Sequence, residues 1–416
     1  MTKSSNDVYF KQLNGIRFIA VFLVLLDHWL VPILPIPLGH LGVVIFFVLS
    51  GFLITRILFL NADEIQNTKS SAWPKIFQFI YRRSLRIFPI YFILLFIGLI
   101  FNISNFMELW PWLLSYTPNI YIMIKGHWLG AWDHLWSLAV EEQYYLFFPY
   151  FILFFNKNNY LRLFAIMIGL GILSRLIFYV FVPHEIIEKY WMFSYVNPIS
   201  AIDCFGLGGL LAYYFHYDHT YFLKIAQKKY WLLITLSAVF ISLILSSQSE
   251  YTYDNIWFSI FERSISAIFA YFLIMTALME RNNYLGQLLE NRVFVYLGTI
   301  SYGIYLYHNF VFNYYHLNGN TIWGFLSINL TFLNSLKIRM NNGTINNFLL
   351  NFLDKILIFK KTIMSNIDKR LATELKLLNI LEEESLKMLL KLQNNNQIDK
   401  VQFERCREIV KRIYYN

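Results

Sequence analysis

Two ionisable side chains stand in the first strongly apolar stretch of the chain. Arg17 and His28 are eleven residues apart, in a segment otherwise dominated by Leu, Ile, Val and Phe. On an α-helix this spacing corresponds to three turns and roughly 16 Å of rise, so both side chains lie on nearly the same face. An ionisable residue inside an apolar span is a functional candidate by default. The alternative is that Arg17 reaches the lipid headgroups and His28 lies at the opposite interface.

Arginines at the ends of the apolar stretches form a second set of candidates. Arg82 and Arg86 are four residues apart and therefore share a helix face. Arginine is the preferred side chain for binding phosphate through paired hydrogen bonds. The sequence predicts a site for a phosphate-bearing ligand, formed by Arg17, Arg56, Arg82, Arg83 and Arg86. Anchoring by positive charge is the competing interpretation.

Two adjacent carboxylates, Glu141 and Glu142, follow Trp136 and Ser137 where another apolar stretch begins. The helix dipole stabilises acidic residues near a helix start, which is a sufficient structural reason for them. His28 is expected to reach the same half of the membrane, and a carboxylate there would orient its ring and raise its basicity. The sequence therefore predicts that Glu141 orients His28, which acts as a general base.

The composition indicates a polytopic membrane protein. Hydrophobic residues make up 57% of the chain and charged residues only 15%, whereas soluble domains carry about 25% charge. Glycines such as Gly42 and Gly51 in the second apolar stretch allow helices to approach closely. A span needs about 20 mostly apolar residues. Such stretches lie near 13–34, 41–60, 87–104, 137–155, 162–182, 195–215, 230–247, 256–279, 293–316 and, shorter, 320–336. The predicted fold is an all-α bundle of about ten transmembrane helices.

Basic residues indicate which loops face the cytoplasm. Four loops are rich in Lys and Arg: 61–86, 156–162, 216–229 and 280–292. The segment 246–255 has no Lys or Arg and is predicted to lie outside. These sides alternate from a cytoplasmic N-terminus only if 105–136, which contains Pro111 and Pro118, does not cross the membrane. We therefore expect 105–136 to be external or re-entrant, and the C-terminus to be cytoplasmic if 320–336 spans.

The C-terminal region differs in composition from the rest of the chain. Residues 337–416 contain 15 Lys and Arg against 9 Asp and Glu, so they carry +6 of the net charge of +9. Leucines at helical spacing, such as Leu371, Leu375 and Leu378, predict an amphipathic helix. We interpret this region as a cytoplasmic helical tail that rests on anionic lipid, or simply as a solvated extension. The predicted domains are accordingly 8–336 and 337–416.

Other classes of site receive no support from the sequence. The two cysteines, Cys204 and Cys406, are far apart and indicate neither a disulfide framework nor a metal site. Because basic residues concentrate on the cytoplasmic loops of membrane proteins, the net charge does not indicate a nucleic-acid partner.

Five motifs of the chain, in this order, resemble those of the membrane acyltransferase 3 family, the bacterial O-acyltransferases of surface polysaccharides. The motifs are Arg17 with His28; Gly42-Val43 with Phe46-Phe47-Val48-Leu49-Ser50-Gly51-Phe52-Leu53-Ile54; Arg82-Arg83 with Arg86-Ile87 and Pro89; Trp136-Ser137-Leu138 with Val140-Glu141-Glu142-Gln143; and Leu297-Gly298-Thr299-Ile300-Ser301-Tyr302-Gly303-Ile304-Tyr305-Leu306-Tyr307-His308. The resemblance covers about residues 8–316. It implies a ten-span fold, an acyl-CoA donor from the cytoplasm and a saccharide acceptor outside.

The residues and the resemblance together predict an O-acyltransferase of the bacterial inner membrane, with acetyl-CoA as the default co-substrate and no permanently bound cofactor or metal. His28 and Glu141 would be catalytic, and the five arginines would hold the CoA phosphates. Further candidate contacts to substrate are Trp136, Ser137, Glu142, Tyr302 and His308. The expected partners are membrane lipid, acyl-CoA and a saccharide or lipid-linked glycan acceptor.

Three alternatives stay open at this point. Within the enzyme hypothesis, His28 could form a covalent acyl intermediate instead of acting as a base. A transporter or flippase for a sugar-linked or acidic substrate would use the same intramembrane charges, although no internal repeat supports it. A catalytically inactive scaffold whose tail recruits a partner is the third interpretation.

Overall fold

The computed structural model describes residues 10–30, 36–181, 191–228, 230–247, 257–279 and 284–317. Within these ranges every regular element is a helix, which confirms the all-α prediction. The chain divides into two units, Met1–Phe325 and Leu326–Asn416. The second unit, the predicted span 320–336 and the predicted tail 337–416 lie outside the described residues, so those expectations remain predictions.

The bundle is built from α-helices of very different length. They are α1 Lys11–Leu30, α2 Leu38–Thr68, α3 Trp73–Phe101, α4 Phe106–Leu114, α5 Pro118–Lys125, α6 Leu135–Phe154, α7 Tyr160–Phe181, α8 Ile202–Tyr217, α9 His219–Ala226, α10 Tyr230–Ser247, α11 Arg263–Met279, α12 Tyr284–Leu289, α13 Arg292–Thr299 and α14 Ser301–Leu317. Three 3₁₀ turns, at Gly130–Trp132, Lys157–Asn159 and Ile199–Ala201, and a π-helical turn at Trp257–Glu262 lie between them.

Four helical segments in the described ranges are long and apolar enough to cross a membrane. They are Leu38–Thr68, Trp73–Phe101, Lys157–Phe181 and Ser259–Met279. A fifth is formed if α9 and α10, which are bent by 67° relative to each other, count as one broken span. The chain is therefore a multi-pass helical membrane protein, and the remaining spans of the predicted ten stay a prediction.

The spans differ in how much of their surface the protein covers. In the most apolar window of α2, 67% of the residues are buried, and in that of the segment containing α11 the figure is 72%. The corresponding values for α3 and for the segment containing α7 are only 28% and 22%. A helix that is apolar on all sides is covered either by protein or by lipid. We conclude that α2 and α11 form the interior of the bundle, while α3 and α7 have broad lipid-facing surfaces.

Glycines allow α2 to contact its neighbours backbone to backbone. A methyl group added to Gly51 would collide with the carbonyl oxygen of Phe205 on α8, and one added to Gly208 would collide with the carbonyl of Val48. A methyl group on Gly42 would similarly meet the backbone of α1. The prediction that small residues of the second apolar stretch permit close packing is confirmed.

Two predicted segments are more broken than simple spans. Within 105–136, α4 and α5 have 9 and 8 residues, and a helix of nine residues rises only about 14 Å. Each helix alone is therefore too short to cross the apolar core of the bilayer, which is about 30 Å thick, while the external or re-entrant position of the segment stays a prediction. The predicted span 293–316 is interrupted at Ile300, where α13 ends and α14 begins.

Candidate active site

Two polar groups of residues lie at different depths of the helix bundle. We define the histidine pair as His28, near the C-terminal end of α1, and His308 on α14. The second group, defined as the arginine cluster, consists of Arg17, Arg83 and Arg86. Since Arg17 and His28 occupy the same helix, eleven residues apart, the two groups are separated by roughly 16 Å along its axis.

The imidazoles of the histidine pair are in direct hydrogen-bond contact. His308 Nε2 lies 3.2 Å from His28 Nδ1, and the ring centres are 4.8 Å apart. His308 Nδ1 lies 2.5 Å from the carbonyl oxygen of Tyr305, one turn earlier on α14. His308 is 2% exposed, whereas His28 is half-buried. His28 therefore combines a fixed partner on one side with access from another.

Two further side chains hold His28 in place. The side-chain amide of Asn309 hydrogen-bonds the His28 ring, and its Nδ2 donates to the carbonyls of Gly130 and Ala131, at 3.2 Å in each case. The neighbouring Asp27 carboxylate accepts hydrogen bonds from the first backbone N–H groups of α2. These bonds satisfy donors that a helix start leaves open, and they tie the last turn of α1 to both α2 and α14.

The loop before α6 contributes another acidic group on this side of the bundle. Burial raises the pKa of the Asp133 carboxyl to about 7, although backbone N–H groups of Leu129 and Gly130 oppose the shift. The next residue, His134, is 3% exposed, and its Nε2 lies 3.0 Å from the carbonyl of Leu306. The ring centres of His134 and His308 are 4.9 Å apart, so this loop packs directly against the histidine pair.

Arg83 provides the inward-facing charge of the arginine cluster. Its guanidinium carbon lies 4.0 Å from the centre of the Tyr145 ring. Arg17 donates to the Oδ1 of Asn14 at 2.8 Å and lies close enough to Arg83 and Arg86 for electrostatic repulsion. Three guanidinium groups converging in one region favour an anion between them.

Glu141 belongs to the arginine cluster rather than to the histidine pair. Its two carboxylate oxygens lie 3.0 Å from the hydroxyl of Ser50 and 2.9 Å from that of Tyr145. It also interacts electrostatically with Arg83 and Arg17. The sequence predicted that Glu141 would orient His28. The structure does not bring the two side chains together, because Glu141 lies two helical turns beyond the start of α6. The hydrogen-bond partners of His28 come from α14 instead.

The arginines predicted to act together have different environments. Arg83, rather than Arg82, faces the other cationic groups, while Arg82 is exposed. Arg56 lies over the Phe10 ring at 4.9 Å. Arg86 is also exposed, but it is three residues from Arg83 and, like Arg83, interacts electrostatically with Arg17.

The remaining predicted site residues connect helices. Ser137 Oγ lies 2.5 Å from the hydroxyl of Tyr305 and donates to the carbonyl of His134 at 3.0 Å. Tyr302 donates to the Ile87 carbonyl of α3 at 3.4 Å. The Trp136 ring packs 5.2 Å from that of Tyr195, and Glu142 interacts electrostatically with Arg83. Ser137 and Tyr302 thus place α14 against α6 and α3.

A second buried polar network was missed in the sequence. Arg175 on α7 and Asp203 on α8 form an ion pair at 2.7 Å, with side chains 2% and 1% exposed. His40 Nε2 and the carboxylate of Glu262 lie 2.6 Å apart, and the other ring nitrogen of His40 lies 3.0 Å from the Tyr195 hydroxyl. The sequence did contain an indication of this network, since Arg175, Asp203 and Glu262 are charged residues inside predicted spans.

In the part of the chain that the structure describes, no group of His, Cys, Asp and Glu side chains could hold a metal ion.

The helical membrane bundle has a counterpart among known protein families. The family model described as an acyltransferase domain matches residues 10–336. This match covers most of the chain, and the protein belongs to the acyltransferase 3 family. The matched region extends beyond residue 316, where the resemblance of sequence motifs ended.

Several curated proteins are similar to this chain. The peptidoglycan O-acetyltransferase OatA of Listeria monocytogenes is 28% identical over 324 residues, which are 72% of this chain and 49% of that protein. A putative O-acetyltransferase of Staphylococcus aureus is 26% identical over 349 residues, 76% of this chain and 52% of that protein. The chain spans about half the length of these relatives. No solved structure matches it.

Proposed function

We propose that the protein is an O-acyltransferase that moves an acyl group from acyl-CoA to a hydroxyl of a saccharide on the other side of the membrane. The observation that carries this proposal is the placement of a half-buried His28, held by hydrogen bonds from α14, on the same helix as Arg17 and roughly 16 Å away. A base alone would suit many reactions. A base and an anion site separated by this depth suit a long donor that carries phosphates at one end.

The donor would enter at the arginine cluster. Arg17, Arg83 and Arg86 would bind the CoA phosphates, because guanidinium groups bind phosphate through paired, charge-assisted hydrogen bonds. Arg56 and Arg82 are candidates for outer contacts. The pantetheine arm would extend between the helices toward His28, over a length comparable to the Arg17–His28 rise. Since acyl-CoA is made in the cytoplasm, the arginine end would face the cytoplasm and the N-terminus would be cytoplasmic.

The reaction would then proceed at His28. The acceptor oxygen attacks the thioester carbonyl carbon while His28 takes the hydroxyl proton as general base. The resulting tetrahedral intermediate breaks its carbon–sulfur bond, and the CoA thiolate receives the proton from His28. The acyl group is now esterified to the acceptor. An acyl-His28 intermediate is the alternative route, and a peptide acylated at His28 after incubation with donor alone would favour it.

The relatives support the choice of acyl group and acceptor class. Their names describe O-acetyltransferases, and one name specifies peptidoglycan. We therefore propose acetyl-CoA as donor and a cell-surface or lipid-linked glycan as acceptor, with the protein located in the bacterial inner membrane. A transporter or flippase using the same charges is the alternative function, and it would bind its cargo without consuming acetyl-CoA.

The test is acetyl-CoA turnover in membranes that contain the full chain, measured as free CoA thiol. We expect release above background in the wild type and at least about a 10²-fold loss in His28→Ala, because general-base catalysis contributes at least that factor. His127→Ala is the matched control, since His127 is exposed, and it should retain wild-type turnover. Equal release by His28→Ala and wild type would overturn the proposal.

A further inference from the structure

The hydrogen bond between His308 and the backbone determines where the proton of its ring lies. His308 Nδ1 is 2.5 Å from the carbonyl oxygen of Tyr305. A carbonyl oxygen can only accept a hydrogen bond, so Nδ1 must carry the hydrogen and donate. The constraint comes from the backbone of α14 itself, since the two residues are three apart on one helix.

The other nitrogen of the His308 ring is then an acceptor. His308 is 2% exposed, and its hydrogen-bond partners are a carbonyl and another imidazole. A charge at this position would be buried without an anionic partner, which is strongly unfavourable, so the ring is neutral. A neutral imidazole with its hydrogen on Nδ1 has a lone pair on Nε2.

The position of the hydrogen on His308 in turn determines the position of the hydrogen on the His28 ring. His308 Nε2 lies 3.2 Å from His28 Nδ1, and a hydrogen bond between them requires one donor. Because His308 Nε2 is the acceptor, His28 Nδ1 carries the hydrogen. In this arrangement the lone pair of the His28 ring is on Nε2, and the Asn309 side chain is the other hydrogen-bonding neighbour of the ring. In water a neutral imidazole prefers the opposite arrangement, with its hydrogen on Nε2.

We propose that His308 is a positioning residue that holds His28 in the tautomer whose Nε2 is the catalytic base. This inference rests on the proposed acyltransferase function. The acceptor proton moves to His28 Nε2 and later to the CoA sulfur, while the Nδ1 hydrogen stays between the two rings. The resulting imidazolium donates to His308 through a charge-assisted hydrogen bond, which stabilises the charge that forms during the reaction.

Two substitutions at residue 308 separate positioning from packing. His308→Gln keeps a group that can donate to the Tyr305 carbonyl and accept from His28, whereas His308→Leu fills similar space without either bond. We expect turnover to fall about 10²-fold in His308→Leu with the KM for acetyl-CoA changed less than about twofold, as for loss of a partner that orients a catalytic imidazole. His308→Gln should recover at least about tenfold of that loss.

The control substitution lies on the same helix. A methyl group added to Gly303 meets nothing within 4 Å, so Gly303→Ala should leave turnover unchanged. Wild-type turnover in His308→Leu would overturn the proposal, and so would a His308→Gln variant as slow as His308→Leu, since the ring would then only fill space.

A second measurement reads the tautomer without any turnover. The chain has 9 histidines, so nitrogen-15 spectra of the full protein labelled at histidine rings are sparse, and the His28 signals are identified by their loss in His28→Ala. At mildly alkaline pH we expect the His28 hydrogen on Nδ1 in the wild type and in His308→Gln, and a shift toward Nε2 in His308→Leu. A wild-type hydrogen on Nε2 would overturn the inference. Absent turnover together with the expected tautomer would instead count against the proposed function alone.

Discussion

The arginine residues show how burial distinguishes neighbours in the sequence. Arg82 and Arg83 are adjacent on α3, yet Arg82 is exposed while Arg83 is partly buried against the Tyr145 ring. A charged group that is partly removed from water binds an anion more strongly than an exposed one, because solvent screens it less. Arg83 is therefore the stronger candidate for contact with a phosphate.

We expect Arg83→Gln to raise the KM for acetyl-CoA about tenfold or more, since loss of one charge-assisted hydrogen bond costs about 1.5–3 kcal/mol. Arg82→Gln removes the same charge one residue away and should change the KM less than about twofold. Steady-state kinetics on the full chain in membranes measures both, with thermal unfolding as a check on folding. Equal KM values for the two variants would remove Arg83 from the donor site.

At the scale of helices, α2 and α8 cross with their backbones in close contact. A methyl group at Gly208 would overlap the backbone of α2 at Val48, and neither backbone can move without disturbing its own helix. Ser50 lies on α2 close to this crossing, and its hydroxyl donates a hydrogen bond to the Glu141 carboxylate on α6. The polar residues of α2 are positioned by this close approach.

We expect Gly208→Ala to destabilise the protein by about 1–3 kcal/mol, as overpacking in a filled interior does. Gly169→Ala on α7 is the matched control, because nothing lies within 4 Å of an added methyl group there. That variant should be neutral, or more stable by up to about 1 kcal/mol owing to the higher helix propensity of alanine. Unfolding in detergent measures the stability of both variants. Equal stabilities would show that α2 and α8 can separate enough to accommodate a methyl group at little cost.

The buried ion pair of Arg175 and Asp203 connects three helices of the described bundle. Arg175 donates to Asp203 on α8, to the backbone of Ser200 before α8, and to the carbonyl of Ile260 before α11. Ser264 on α11 hydrogen-bonds the same carboxylate at 2.9 Å. Because Arg175 and Asp203 are paired with each other, the network joins α7, α8 and α11 through a compensated ion pair.

We expect Asp203→Leu to cost about 3–5 kcal/mol, because it leaves the Arg175 guanidinium buried without its anion. The double variant Asp203→Leu with Arg175→Met removes both charges and should recover most of that loss. Unfolding in detergent on the full chain provides the comparison through a double-mutant cycle. A double variant as unstable as Asp203→Leu alone would show that packing, rather than the unpaired charge, dominates at this site.

The fold class and most candidate residues were accessible from the sequence, because both depend on local properties. Long apolar stretches predict membrane helices, and the break of 105–136 by prolines predicts helices too short to cross. His28 and Arg17 stand out because ionisable groups are costly in apolar segments. The apolar pattern did not predict that Ile300 separates two helices or that Arg83, rather than Arg82, faces inward.

Side-chain partnerships depended on tertiary structure. Glu141 was expected beside His28, but the rise of α6 places it with Ser50 and Tyr145, and the partner of His28 is His308, 280 residues away in the chain. A sequence determines how costly an unpaired polar group would be, since that follows from residue type and apolar surroundings. Only the packing of helices determines which of several polar groups, distant in the sequence, becomes its hydrogen-bond partner, because hydrogen bonds require contact within about 3 Å.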